Sequence, residues 1–153
     1  MQRDKIEILY KKYELTKDDV FKHKHYLIIT RQGIDKIQAK EGIFISYEAV
    51  KVDPEFCVVK AMAKKEHENG ADWLTIETFG SAKYGGKEWV KEVIDLNTGK
   101  QTKKGYWNES GNTTTWYVME MAEKRAMSRA VLKLTGFYEL GVFGEDESED
   151  FKR

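Results

Sequence analysis

Apolar positions near the start of the chain fall at helical spacing. Ile6, Leu9, Tyr10 and Tyr13 predict a short helix, with a charged connector running to about residue 20. Next comes Tyr26-Leu27-Ile28-Ile29, too short a run for a helix and β-branched enough for a strand. Between Gln32 and Glu41, Ile34 and Ile37 share one helical face, and Gly42 supplies the stop. Three strand patterns follow: Ile43 to Val52, Phe56 to Lys65 and Trp73 to Phe79, with alternation clearest in the first and third. Asp53-Pro54 gives one tight connection and Asn69-Gly70 a second, so the three segments predict an antiparallel meander. Residues 80 to 113 hold six glycines and one apolar island, Trp89 to Leu96, which predicts a loop carrying a hairpin around Asn97-Thr98-Gly99. A long helix capped by Thr113 or Thr114 then runs to about Leu134 and ends at Gly136. Glu120 and Lys124 form a favourable i,i+4 pair on it.

Composition adds limits to this α+β outline. With 153 residues, 41% hydrophobic, 34% charged and one proline, the chain has the makeup of a single folded domain with a proper core. The first nineteen residues are charged throughout and lack the apolar core of a signal peptide, and no run approaches the roughly 20 apolar residues of a membrane span. A lone cysteine, Cys57, excludes an internal disulfide framework and suits a reducing cytoplasm. Within an apolar strand, it reads as a packing residue. Net charge is zero, but unevenly spread. The last twelve residues carry five acids against two bases, leaving 24 basic and 21 acidic residues in the first 141. The expected division is therefore a body, residues 1–141, and an acidic tail, residues 142–153. That tail could bind a basic partner, compete with a nucleic acid, or keep the protein soluble.

The long helix carries the candidate chemistry. Arg125, Arg129 and Lys133 are spaced by four and form a cationic stripe, beside a second stripe of Ala122, Ala126 and Ala130. Such a stripe suits a phosphate backbone, whose charges attract Arg and Lys regardless of base sequence. The same spacing also suits a solvated face whose arginines pair with nearby acids, and periodicity does not choose between the two.

The stretch MAEKRAMSRAVLKLTGFYELGVFGED, Met121 to Asp146, resembles the final helix and following turn of the Rad fifty-two type single-strand annealing proteins, in their bacteriophage (Sak-like) branch. YLIITRQGIDKIQAKEGIFISYE resembles the family's short helix feeding its first long strand, and PEFCVVKAMAKKEHENGADWLTIETFGSAKY its central hairpin. The likeness covers residues 26 to 81 and 114 to 146; residues 82 to 113 have no counterpart. It implies a sheet with the long helix packed against it, and subunits assembled into a ring or open helical array around a basic groove. It also implies single-stranded DNA binding and strand annealing in homologous recombination or repair, in a phage-infected bacterial cytoplasm. The host single-strand binding protein is then a candidate partner. Carried over by position, Arg129 and Lys133 match groove-lining bases. Ala130 stands where some members have arginine, and Arg125, one turn earlier, would compensate.

Other candidates contribute less. Lys22-His23-Lys24-His25 offers Lys22 and Lys24 as a second phosphate contact on the opposite rim of the groove, or is a solvated connector. His23, His25, His67 and Cys57 lack the spacing of a metal site. Lys83-Tyr84-Gly85-Gly86-Lys87-Glu88-Trp89, with Tyr106-Trp107, mixes bases with rings that stack on bases or anchor a hairpin. Gly80 to Lys87 misses the phosphate-loop pattern, because the lysine comes one place late and no hydroxyl follows. With no nucleophile–base pair and no nuclease-like acidic arrangement, no enzyme activity, cofactor or metal is expected. Rival readings are a double-stranded RNA or DNA binding module, since a meander and a basic helix also suit that role, a nuclease, and a purely structural assembly protein.

Overall fold

The computed structural model describes residues 2–67, 70, 72–85, 87–109, 111, 113 and 117–147. They form an α+β fold with three α-helices and ten strands among the described residues. The order is α1 (Gln2–Lys12), β1 (Val20–His23), β2 (Tyr26–Ile29), α2 (Arg31–Glu41), β3 (Phe44–Val52), β4 (Phe56–Glu66) and β5 (Trp73–Lys83). There follow β6 (Lys87–Val90), β7 (Val93–Ile94), β8 (Gln101–Lys103), β9 (Tyr106–Glu109), α3 (Val118–Leu134), a 3-10 turn (Tyr138–Leu140) and β10 (Val142–Gly144).

The meander is β3–β4–β5, antiparallel throughout, with a bulge at Val50 between the paired residues Ala49 and Lys51. Alternation along β4 sets its two faces. Cys57, Val59, Ala61 and Ala63 are buried on one side, where Ala122, Ala126 and Ala130 of α3 meet them. Small side chains on both surfaces let the helix lie close, and Gly80 of β5 marks the closest approach. A Cβ there would press into the Ala122 carbonyl oxygen and the Ala126 amide nitrogen. Beside it, the Thr78 hydroxyl donates to the Ala126 carbonyl at 2.7 Å.

The far side of α3 is also covered. Ile34 and Ile37 of α2, Phe137 and Val142 are all fully buried in the same core. α2 forms for local reasons: Thr30 caps it by accepting from the Gly33 amide at 3.2 Å, and Gly42, at φ 64°, ends it in the left-handed conformation. A second sheet, in the order β1–β2–β10, combines an antiparallel hairpin with a parallel pairing of β10 on β2.

Several expectations need correction. Lys22 and His23 do not lie in a connector; they belong to β1, and Lys24 turns the hairpin at φ 55°. The long helix starts at Val118 after Tyr117 with no side-chain cap, so Thr113 is not its cap; it bridges Tyr84 instead. Thr114 lies outside the described residues, as does Asn69 of the predicted turn, although Gly70 has the expected positive φ of 69°. The boundary between residues 141 and 142 also moves. Val142 and Gly144 are buried in β10, so the packed body runs to Glu147, and residues 148–153 lie outside the described residues.

Asp19, fully buried, joins α2 to the segment before β1. It accepts from Lys36 Nζ at 2.6 Å and from the Thr16 amide at 2.8 Å. Burial alone would raise its pKa, but Lys36 and two Thr16 donors outweigh that and hold the carboxyl below its ordinary value. A depressed carboxylate stabilises the fold above its unfolded pKa, and that contribution is lost as pH falls through the folded one. Asp19→Asn is therefore expected to cost about 2–3 kcal/mol at neutral pH. Its deficit against the wild type should shrink in urea melts taken below about pH 3.9. A deficit independent of pH would contradict the assignment.

Candidate nucleic-acid interface

The cationic stripe on α3 is not one exposed edge. β5 is an edge strand, and two arginines fold back onto its open side. Arg125, 3% exposed, donates from Nη1 to the Ser81 carbonyl at 2.9 Å and from Nε to the Asp146 carbonyl at 2.7 Å. Arg129 donates from Nη1 to the Phe79 carbonyl at 2.9 Å. Both satisfy strand carbonyls that have, among the described residues, no neighbouring strand, a device that also blocks edge-to-edge pairing. Glu147 Oε2 of the same chain lies 3.9 Å from Arg129 Nε. Lys133 alone of the three is exposed, with Nζ 5.2 Å from the Tyr138 ring centroid. The expectation of a single Arg125–Arg129–Lys133 track is therefore corrected: Arg125 is a buried tether, Arg129 is half-buried, and Lys133 faces solvent.

Lys22 and Lys24 are both exposed, on β1 and its turn. Lys22 lines a groove against α1 with Arg3, Glu7, Tyr10 and Leu27, a different depression from the one that Arg125 and Arg129 line. The structure thus does not gather the five sequence-predicted bases into one site.

What sequence reasoning missed is the other face of the meander. α3 covers one side, and no element among the described residues packs on the second. Register fixes which residues share it. Across the sheet from β3 through β4 to β5, the rows on this face run Phe44–Lys64–Thr75, Ser46–Met62–Glu77, Glu48–Lys60–Phe79 and Lys51–Val58–Ser81. Three rings on this face stand open: Phe44 is 60% exposed, Trp73 48% and Phe79 51%. Lysines interleave them. Lys64 Nζ is 5.1 Å from the Trp73 ring centroid, Phe44 meets Trp73 edge-on at 6.1 Å, and Lys51 Nζ is 5.7 Å from the Phe56 ring. Lys60 is paired with Glu77 at 3.2 Å. Between Phe44, Met62, Lys64 and Thr75 the face dips into an open groove of about 920 Å³. Rings that stack on bases, next to ammonium groups that neutralise phosphates, are what a single strand requires and a duplex, with its bases stacked inward, does not. A signal for this face was in the sequence: along β4, Phe56, Val58, Lys60, Met62 and Lys64 alternate with the small residues that take the helix.

The hairpin arm adds none of its described side chains, residues 89–107, to the buried core. Its ladders pair β6 with β9 and β7 with β8, around the predicted turn at Gly99, φ 70°. Trp89 and Trp107 meet edge-on at 5.4 Å on one side, while Trp107 stays 65% exposed and Leu96 97%. Gly105 lies directly beneath Trp89, where a Cβ would displace the indole. Tyr84 and Gly85 lie at the root of this arm, and Gly86 is outside the described residues.

The acidic segment after β10 is docked. Glu145 accepts from the Arg31 amide at 2.7 Å, and Asp146 lies 3.6 Å from Arg31 Nη1. The Glu147 side chain, 6% exposed, closes a pocket of about 410 Å³ with Phe56, Phe79, Arg125 and Arg129. Burial pushes the Glu147 carboxyl above its ordinary range, against the opposing pull of Arg129.

Among the described residues, no group of three His, Cys, Asp or Glu side chains is placed to hold a metal ion. No described helix is long and apolar enough to cross a membrane. Comparison with protein families, with curated proteins and with solved structures returned no match.

Proposed function

We propose that this chain binds single-stranded DNA on the open face of β3–β4–β5 and, as a self-assembled oligomer, anneals it to a complementary strand. What supports the reading is that uncovered face, where Phe44, Trp73 and Phe79 stand exposed among Lys51, Lys60 and Lys64. Binding neutralises phosphates and releases counterions, while stacking on rings removes secondary structure from the strand. No covalent bond is made or broken, so no catalytic group is needed. Copies arranged side by side would join their faces into one track, on which many weak contacts reinforce one another. The arm leaves Trp107, Val93, Ile94 and Leu96 exposed, side chains that a neighbouring copy could cover in such an assembly. On the resemblance of residues 26–81 and 114–146 to the single-strand annealing proteins, the process we propose is phage recombination or repair, with the host single-strand binding protein as a candidate partner.

The test combines mass measurement, with and without a long oligo(dT), and an annealing assay with complementary oligonucleotides. The expected result is an oligomer that shifts mass with oligo(dT) and speeds annealing without magnesium or nucleotide. A monomer that ignores oligo(dT), or a protein that consumes the strands when magnesium is added, would overturn the reading.

A further inference from the structure

The pocket at the open edge of β5 presents an unusual electrostatic arrangement. Arg129 is held in place by its bond to the Phe79 carbonyl, yet its Nε is buried and makes no hydrogen bond within the chain. Glu147 Oε2 faces that nitrogen at 3.9 Å, beyond hydrogen-bond reach, and its Oε1 is likewise buried without a hydrogen-bond partner. A half-buried guanidinium and a buried carboxylate are thus brought together, with Arg129 Nε and Glu147 Oε1 left without hydrogen bonds. A buried ion pair compensates for lost hydration only when its geometry is good and the remaining polar atoms are bonded. This one meets neither condition, so the guanidinium is open to a better anion.

The pocket also has a direction. Phe79 lines it and stands on the open sheet face as well, and Phe56 and Val58 form the wall between. A strand stacked on that face would therefore bring its backbone to this edge. The peptide carrying Glu147 is held by the bond from its own amide to the Gly144 carbonyl at 3.2 Å and by Asp146, whose carbonyl accepts from Arg125. Moving the Glu147 side chain alone, with β10 left in place, uncovers Arg129.

We infer that this edge pocket is a phosphodiester seat, and that Glu147 occupies it as a stand-in anion until a strand arrives. The inference rests on the single-strand reading above. Glu147 then sets a threshold: the strand must displace an internal carboxylate to gain the Arg129 contact, which weakens binding of strands too short to engage the whole face. Glu145 and Asp146 act differently, because they anchor the segment to Arg31 and are not displaced.

The experiment titrates dye-labelled oligo(dT) against the wild type, Glu147→Gln, Arg129→Gln, the double variant, and Glu14→Gln. Glu14 is an exposed acid paired with Lys40 at 2.9 Å and serves as the charge-matched control. Thermal melts establish that each variant is folded. Glu147→Gln is expected to bind about three- to fivefold more tightly than the wild type. Glu14→Gln should leave affinity unchanged, and Glu147→Gln should add nothing once Arg129 is Gln. If the wild type binds and Glu147→Gln binds no better, or if Glu14→Gln gives the same gain, the seat is overturned while the single-strand reading stands. If neither the wild type nor Glu147→Gln binds oligo(dT), both fall together.

Discussion

Replacing Trp73 and Phe79 with alanine is expected to weaken oligo(dT) binding about a hundredfold while leaving the fold intact, since each stacked base is worth about 1–3 kcal/mol. Both rings are roughly half exposed and lie on the side of the sheet away from α3, so their loss opens no core cavity. Trp73 carries more than its own stacking, because Lys64 sits over its face and Phe44 against its edge. Removing the indole therefore also frees the ammonium that it positions. A companion change, Lys60→Ala with Lys64→Ala, should act mainly through salt. Two lost phosphate contacts lower the slope of log affinity against log salt by about 1.4. Arg125→Ala is the informative contrast. That side chain is spent on the carbonyls of Ser81 and Asp146, so its removal should lower stability first and alter binding only through the fold. If Arg125→Ala abolished binding in a protein of normal stability while Trp73→Ala with Phe79→Ala bound normally, the helix and not the sheet would be the DNA surface.

Gly80→Ala is the stability change of largest expected effect. The methyl group would enter the space of the Ala122 carbonyl and the Ala126 amide, the two ends of a helical i,i+4 hydrogen bond. Backbone in mid-helix cannot yield as a side-chain tip can, so β5 and α3 would have to separate. That separation also strains the Thr78 bond to Ala126 and the reach of Arg125 and Arg129 to the strand edge. A cost of about 3 kcal/mol or more is expected. For a chain of this length it corresponds to a fall of roughly 6–12 °C in the thermal midpoint. Ser81→Ala, on the opposite face of the same strand, should change stability by no more than about 0.5 kcal/mol. Equal melting of Gly80→Ala and the wild type would contradict the close packing described.

Elements encoded locally were legible in the sequence. Gly42 marked the end of α2 with its own backbone chemistry, alternation marked β3 and β5, and valine and alanine content marked β4. Elements made by distant partners were not. Nor was β1: Val20-Phe21-Lys22-His23 is too short and mixed to read alone, and its hairpin pairing with β2 makes it a strand. Three residues of β10 find β2 from more than a hundred positions away, leaving no local pattern to read. The site divides in the same way. Spacing put Arg125, Arg129 and Lys133 on one side of a helix, which is correct as geometry. It does not reveal that strand carbonyls lie opposite the first two, because only the fold brings the β5 edge there. The open face was implied by the small residues of β4, which had to meet a helix and so turned Lys60, Met62 and Lys64 outward.

The most direct test is a pair of titrations of the wild-type protein at one salt concentration, with labelled oligo(dT) and with a duplex of equal length. The exposed rings of the sheet predict a clear preference for the single strand, lost when Trp73 and Phe79 are alanine. Equal or tighter binding of the duplex, or no binding of either, would contradict the account.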